Sequence, residues 1–241
     1  VEKLRQAAVD VPSNSADEST RLNKQKIDKE LEAETDQNAV TEKSAPVGLE
    51  TYSSRRIDLD LNALSAAGFI RPDAPRSQLA DEYRVVKRQL IDNAMGRGAT
   101  RIKDGNLIMV TSAVPGEGKT FTAANLAMSI AMELDNTVML VDADVARPTL
   151  LNKLGLPPMR GLLDVLVDDS IDLSQVLLRT NVEKLALLPS GTQHPRATEL
   201  LASDAMVSLL EDMARRYSDR IIIFDSPPLL VTTESRALAS H

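Results

Sequence analysis

Ala113, Val114, Pro115, Gly116, Glu117, Gly118, Lys119, Thr120 and Phe121 form the segment of this chain most suited to chemistry. Ala113 is followed by four residues and then by Gly118, Lys119 and Thr120, the Walker A spacing with alanine in the first position. Main-chain amides gathered in such a turn make an anion cradle, and the helix that follows adds the partial positive charge of its N-terminus. A polyphosphate is the expected guest. Gly116 and Gly118 permit the backbone path and the close approach of phosphate that a side chain would obstruct. Lys119 is placed to reach the terminal phosphates, and the Thr120 hydroxyl to ligate magnesium. The competing reading is an ordinary strand-to-helix turn with a surface lysine. An apolar run before the motif and a helical pattern after it favour the phosphate loop.

Two other segments carry carboxylates. VMLVDADVARP puts Asp142 and Asp144 behind one apolar run, and IIIFDSPP puts Asp225 behind another. Either alone reads as a helix cap or turn former. Beside a phosphate cradle they read as metal-side acids, because magnesium keeps several waters and takes one or two carboxylates together with phosphate. Asp225, after four apolar residues, stands where a Walker B acid is expected.

The elements that must bring these groups together are legible from periodicity. Apolar runs at residues 107–111, 138–141, 185–188 and 221–224 alternate with helical patterns at 120–134 and 204–217 and shorter ones at 149–154 and 162–167. Short, wholly apolar strands separated by helices predict a mainly parallel sheet covered on both faces, an α/β fold in three layers. Ligands of such sheets lie beyond the carboxyl ends of the strands, where the three aspartates are expected.

Composition narrows the function further. Aromatic residues make up 2% of the chain and acidic residues outnumber basic ones by 35 to 28, which argues against a nucleic-acid partner. There is no cysteine, so disulfides and thiolate metal sites are excluded, and no unbroken apolar stretch approaches the roughly 18 to 20 residues of a membrane helix. His194 lies in a polar loop with no metal-ligand spacing around it, and the methionines of AMSIAMEL read as core filler. Glu117 reads as a tolerated exposed side chain, ahead of the alternative of a local modulator of metal affinity.

Three regions are expected. Residues 1–56, polar and charge-mixed, read as a flexible arm, with a transient helix possible at 22–31. Residues 57–98 comprise a short docking segment and a helix, SQLADEYRVVKRQLIDNA, with Leu79, Tyr83, Val86 and Leu90 on its apolar face and Asp81, Arg84, Lys87 and Arg88 on the other. Residues 99–241 form the phosphate-loop domain. The chain begins with Val1, which predicts that its first residue is not a native start.

On SAVPGEGKT, VMLVDADVARP and IIIFDSPP, the chain resembles the bacterial tyrosine kinases, P-loop kinases that govern exopolysaccharide synthesis. The resemblance runs from about residue 58 to the last and includes VEKLALLPSGTQHPRATELLAS; the DADVARP form and DEYRVVKRQL are most similar to autokinases encoded beside exosortase-linked polysaccharide systems. It implies a P-loop NTPase fold and ATP-dependent phosphorylation of tyrosines on neighbouring subunits, with ATP held by residues 113–121. It implies magnesium held by Thr120, Asp142 and Asp225, with Lys119, Asp142 and Asp144 as the catalytic set. Asp142 would then face the metal and receive the tyrosine proton, supported by Asp144. The family's Glu-x-x-Arg-x-x-Arg helix, which packs against a neighbour in a ring, is matched with conservative changes by Asp81, Arg84 and Lys87. The implied partners are further copies of the chain and a membrane-embedded regulator of polysaccharide chain length, which would hold the protein at the cytoplasmic face of the plasma membrane.

The chain also departs from that family. Ala146 stands where the Walker A′ motif carries arginine, and Arg147 follows; the only tyrosines are Tyr52, Tyr83 and Tyr217; and 16 residues follow Asp225, which predicts a C-terminally truncated domain. Val114 stands where the related partitioning and cell-division-site ATPases carry a signature lysine, which counts against the rival reading of a nucleotide-switched positioning ATPase. A non-catalytic, nucleotide-binding regulator of polysaccharide polymerisation is the third reading, disfavoured by the joint presence of Lys119, Thr120, Asp142 and Asp225.

Overall fold

A computed structural model describes residues 55–74, 77–230 and 232–239. The expected transient helix at 22–31 and almost all of the expected arm lie outside the described residues. The elements are β1 (Arg55–Arg56), α1 (Leu61–Ala66), α2 (Gln78–Ala94), β2 (Leu107–Val110), α3 (Lys119–Ala131), β3 (Thr137–Asp142), α4 (Leu150–Lys153), α5 (Leu162–Val167), α6 (Leu173–Val176), β4 (Leu178–Arg179), β5 (Leu185–Leu188), α7 (Ala197–Leu201), α8 (Asp204–Arg216), β6 (Arg220–Asp225) and α9 (Glu234–Ala239). The strands lie in the order β1-β4-β5-β3-β6-β2. Every pairing is parallel except β4 with β5.

The three-layer expectation is met in the way the strands divide their side chains. Val138 and Leu140 of β3, Leu185 and Leu187 of β5, and Ile221 and Ile223 of β6 enter one core, with α2 and α3. Met139 and Val141, Ala186 and Leu188, and Ile222 and Phe224 enter the other, with α5, α7 and α8. Period-two alternation with both faces apolar is the signature of a sheet buried on both sides. Burying one such aliphatic side chain contributes roughly 1.5–3 kcal/mol, so the strands most fully enclosed supply the firmest platform for the loops at their carboxyl ends.

The pairing register does the positioning. Asp142, at the end of β3, lies directly opposite Asp225, at the end of β6, and Val110 of β2 lies opposite Asp225 on its other side. The three segments singled out for chemistry are thereby brought to the carboxyl ends of three adjacent strands.

The structure differs from the sequence expectation at several places. Arg55 and Arg56, assigned to the arm, pair in parallel with β4, so the sheet extends into that segment. The docking segment shares the core with α3 through Ile57, Leu59, Leu64, Phe69 and Ile70, and the Asn125 carboxamide oxygen accepts a hydrogen bond from the Ile70 amide at 2.6 Å. On α2, Leu79, Tyr83 and Leu90 pack on the core as expected, but Val86 is 53% exposed and Lys87 is 3% exposed. The stripe that seats the helix is Ala80, Tyr83, Lys87, Leu90 and Ile91, with spacings of three, four, three and one. Of the methionines expected as filler, Met128 is buried and Met132, beyond the end of α3, is 37% exposed.

Candidate active site

Strand β2 delivers the chain into the phosphate loop and α3 carries it away. Gly116 and Gly118 have φ of 90° and 89°, a left-handed conformation that favours glycine. A Cβ on either would meet no protein atom within 4 Å, so the space in front of them is open to a ligand. Gly118 is also the N-cap of α3 and offers no side-chain acceptor to the first amides of that helix. Those amides are the orphan donors of any helix start, here left facing a cleft.

That cleft, about 450 Å³, is lined by Pro115, Gly116, Gly118, Lys119, Thr120 and Phe121, and across from them by Asp144, Arg147, Thr149 and Lys153. Ala113, Val114 and Glu117 do not line it. The Glu117 carboxylate instead accepts hydrogen bonds from the amides of Ala113 (2.8 Å) and Val114 (3.1 Å), so it staples the start of the loop rather than standing free. The expected nine-residue cradle is thus divided into a ligand-facing part and a part that holds the turn closed.

Lys119 and Asp144 form an ion pair of 2.6 Å with both side chains nearly buried. The Thr120 hydroxyl lies 3.3 Å from that of Thr149. Arg147, which follows the alanine at the family's arginine position, donates its amide to the Asp144 carboxylate at 3.2 Å and reaches the cleft. Lys153, one turn further on, is a cleft cation that sequence reasoning missed; its place on the single turn of α4 was the available signal.

Asp142 and Asp225 are fully buried, and neither carboxylate has a well-formed hydrogen bond on either oxygen. Burial is the main cause that pushes Asp142 up to about 7, with the negative charges of Asp225 and Asp144 adding to it and the backbone amides of Leu150 and Asp144 pulling weakly the other way. Burial likewise raises Asp225 to about 6, against the downward pull of the nearby Thr120 hydroxyl and Lys119 ammonium. Two adjacent, desolvated carboxylates without a well-formed hydrogen bond are costly as they stand, and a divalent cation would satisfy them. Among the described residues, no three His, Cys, Asp or Glu side chains form a cation cage complete in itself. That suits magnesium, which is held by one or two carboxylates together with water and phosphate oxygens.

Of the interface residues expected on α2, Asp81 and Arg84 are paired with each other on its outer side. Lys87 is not on that side. It is enclosed against the C-terminal end of α3, where its ammonium lies 2.6 Å from the Glu133 carboxylate and donates to the Ser129 carbonyl at 2.6 Å. The cause is the register of the buried stripe on α2, which carries position 87 inward.

Comparison with known proteins bears on this geometry. Residues 105–241 match the AAA domain family. The chain is 34% identical over 166 residues to the tyrosine-protein kinase YwqD of Bacillus subtilis, covering 69% of this chain and 66% of that protein. It is 34% identical over 170 residues to the succinoglycan biosynthesis transport protein ExoP of Rhizobium meliloti, covering 69% of this chain and 20% of that protein. The chain therefore spans about two thirds of the length of one such relative and a fifth of another. Among solved structures, the chimerical protein CapA2B2 superposes with a TM-score of 0.58 at 25% identity, over 78% of this chain and 76% of that one.

Proposed function

The chain belongs to the bacterial tyrosine kinase family, built on an AAA-type P-loop domain, and from that membership we propose that it transfers the γ-phosphoryl group of ATP to tyrosine residues, principally on neighbouring copies of itself, in the control of exopolysaccharide synthesis. The observation that carries this reading is the meeting of an uncapped P-loop helix, the Lys119–Asp144 pair and the Asp142–Asp225 pair, which lacks a well-formed hydrogen bond, at one end of the sheet.

Phosphoryl transfer asks of a protein mainly positioning and charge neutralisation. The amides from Gly116 to Thr120 would hold the phosphates, and Lys119 would exchange Asp144 for the terminal phosphate oxygens. Thr120, Asp142 and Asp225 are the groups that would hold magnesium, which supplies charge neutralisation at the phosphates when bound. Arg147 and Lys153 add positive charge across the cleft, so the arginine role at position 146 falls to its neighbour. Asp142, at the carboxyl end of β3 opposite Asp225, would receive the phenolic proton in its deprotonated form, and Asp144 would orient Lys119.

The DADVARP and DEYRVVKRQL segments support a place among the exosortase-associated members. No helix among the described residues is long and apolar enough to cross a membrane. Membrane association would come through a partner that also activates the kinase, and the chimeric nature of CapA2B2 supports thinking of such domains as joined to another chain. Ring assembly would use Asp81 and Arg84, with Lys87 serving the interior instead.

The test is incubation of the protein with magnesium and γ-labelled ATP, with phosphotyrosine mapping beside Lys119→Met. Label on tyrosine in the parent, reduced at least about 100-fold in the variant, is expected. Release of phosphate without labelled protein would move the assignment to a nucleotide-switched ATPase.

A further inference from the structure

Residues 113–117 of the phosphate loop are all exposed, so packing does little to hold them in place. Gly116 and Gly118, both left-handed, belong to the residue type that loses most backbone freedom on ordering. A segment of this kind keeps one conformation only where hydrogen bonds fix it.

Those bonds converge on the start of the loop. One oxygen of the Glu117 carboxylate, Oε2, accepts from both the Ala113 amide (2.8 Å) and the Val114 amide (3.1 Å). The Ser112 hydroxyl donates to the Val114 carbonyl at 2.9 Å. From the other side, the amides of Leu229 and Leu230 donate to the carbonyls of Ser112 and Ala113 at 2.9 and 3.3 Å, and the Thr111 hydroxyl donates to the Pro227 carbonyl at 2.8 Å. The loop is thereby tied to the segment after β6 that carries Pro228 and Thr232 to the same cleft. Among the described residues, Glu117 is the side chain that closes the loop onto its own start. It takes the amides of Ala113 and Val114 out of the phosphate cradle, and it does so from outside the cleft, where two N–H donors and water screen its charge from a bound polyphosphate.

We propose that Glu117 is a positioning residue for the nucleotide: it holds the loop, before any ligand arrives, in the form in which the amides from Gly116 to Thr120 converge on phosphate. It acts by the reach of its acceptor oxygen and not by its charge. The proposal rests on the reading of this loop as a nucleotide site, and it adds to the kinase assignment a residue that sets nucleotide affinity without touching the nucleotide. Without this closure ATP must itself order the exposed loop, and the cost of ordering is subtracted from its affinity. The same ordered loop serves the bound substrate and the transition state, so the loss falls on KM for ATP rather than on kcat.

The experiment titrates the full chain with methylanthraniloyl-ATP, followed by fluorescence, once with magnesium and once with chelator, for the parent and for Glu117→Ala, Glu117→Gln and Glu117→Asp. Glutamine keeps the reach and an acceptor oxygen but loses the charge; aspartate keeps the charge and falls one methylene short. The alanine and aspartate variants are expected to bind about tenfold more weakly or worse, and the glutamine variant within about threefold of the parent, by the same factors with and without magnesium. With labelled ATP, KM for ATP should rise by those factors while kcat for tyrosine labelling holds within about twofold. Melting temperatures should stay within about 3 °C of the parent, since the side chain is exposed. Affinity unchanged in Glu117→Ala overturns the role and leaves the kinase assignment standing. Aspartate equal to the parent with glutamine as weak as alanine, a loss confined to magnesium, or a loss in kcat alone would each assign Glu117 to charge, metal or chemistry and overturn positioning. Affinities in the expected order, without label on tyrosine in the parent, keep the role and overturn the kinase assignment.

Discussion

The two ends of helix α3 treat charge in opposite ways. At its C-terminal end the side chains of Lys87 and Lys184 donate to the Ser129, Glu133 and Leu134 carbonyls, and Lys87 also meets the Glu133 carboxylate. Orphan carbonyls and the negative end of the helix dipole are thereby satisfied from inside the protein. At its N-terminal end Gly118 caps nothing, the first amides face an open cleft, and Asp142 and Asp225 are buried without a well-formed hydrogen bond. Both ends bury charge, but only one is complete. An end completed by its own side chains holds the fold together; an end left incomplete is held ready for a ligand, at a cost in stability that the rest of the core must offset.

The largest test of that contrast is Asp142→Asn. A folded-state value of about 7, against an ordinary aspartate value of about 3.9, means that between those pH values the native chain binds a proton that the unfolded chain does not. Stability must therefore fall as pH rises from about 4 to about 7, and the full cost is present above 7. Asp225, raised to about 6, contributes with the same sign. In nucleotide-free, chelator-treated protein, Asp142→Asn should raise unfolding stability at pH 8 by on the order of 2–4 kcal/mol in urea titrations, with the gain shrinking towards pH 5, and in a separate assay with magnesium and ATP the same variant should lose tyrosine phosphorylation. A variant no more stable than the parent at pH 8 would show that the incomplete end carries no such cost.

The opposite sign is expected at the completed end. Lys87→Met removes a buried donor and leaves the Ser129 carbonyl unmatched, although Glu133, 40% exposed, can turn to water. A loss of about 1–3 kcal/mol follows, lowering the melting temperature by roughly 2–10 °C. Nucleotide affinity should change little. If affinity falls as steeply as stability, the two ends of α3 are not separable.

This contrast was only half legible in the sequence. The incomplete end was readable because a P-loop is contiguous and because apolar runs ending in Asp142 and Asp225 point to strand ends; their exact opposition needed the β3–β6 register. The completed end was hidden. Lys87 is a polar residue in a helical pattern, and local periodicity assigns it to the solvent side, since its partners lie 42 and more residues away. Glu117 escapes a sequence reading for a similar reason: its carboxylate turns back onto the amides of Ala113 and Val114, a geometry set by the two left-handed glycines rather than by spacing. The cleft between the segments after β3 and after β5 was invisible, because those segments are far apart in the chain and are joined by backbone hydrogen bonds, such as that from the Leu162 amide to the Pro189 carbonyl, which leave no local pattern. The antiparallel pairing of β4 with β5, two residues long, is too short to leave a periodic trace.

The smallest effect on the fold is expected where charge is neither enclosed nor left waiting. Arg84 and Asp81 pair across one turn of α2 on its outer side, and such exposed helix pairs contribute about 0.2–0.5 kcal/mol because water competes for both groups. The neighbouring Val85 is 74% exposed, so this face combines an apolar group with charged ones that have no role in the core. Arg84→Ala should leave monomer stability within about 0.5 kcal/mol. If α2 packs against a second copy through this face, the same substitution should shift the sedimentation profile towards monomer at concentrations where the parent self-associates, and should reduce phosphorylation between subunits in step. Self-association unaffected by Arg84→Ala, and equally by Val85→Lys, would remove this face of α2 from the assembly and place it with ordinary solvated helix surface.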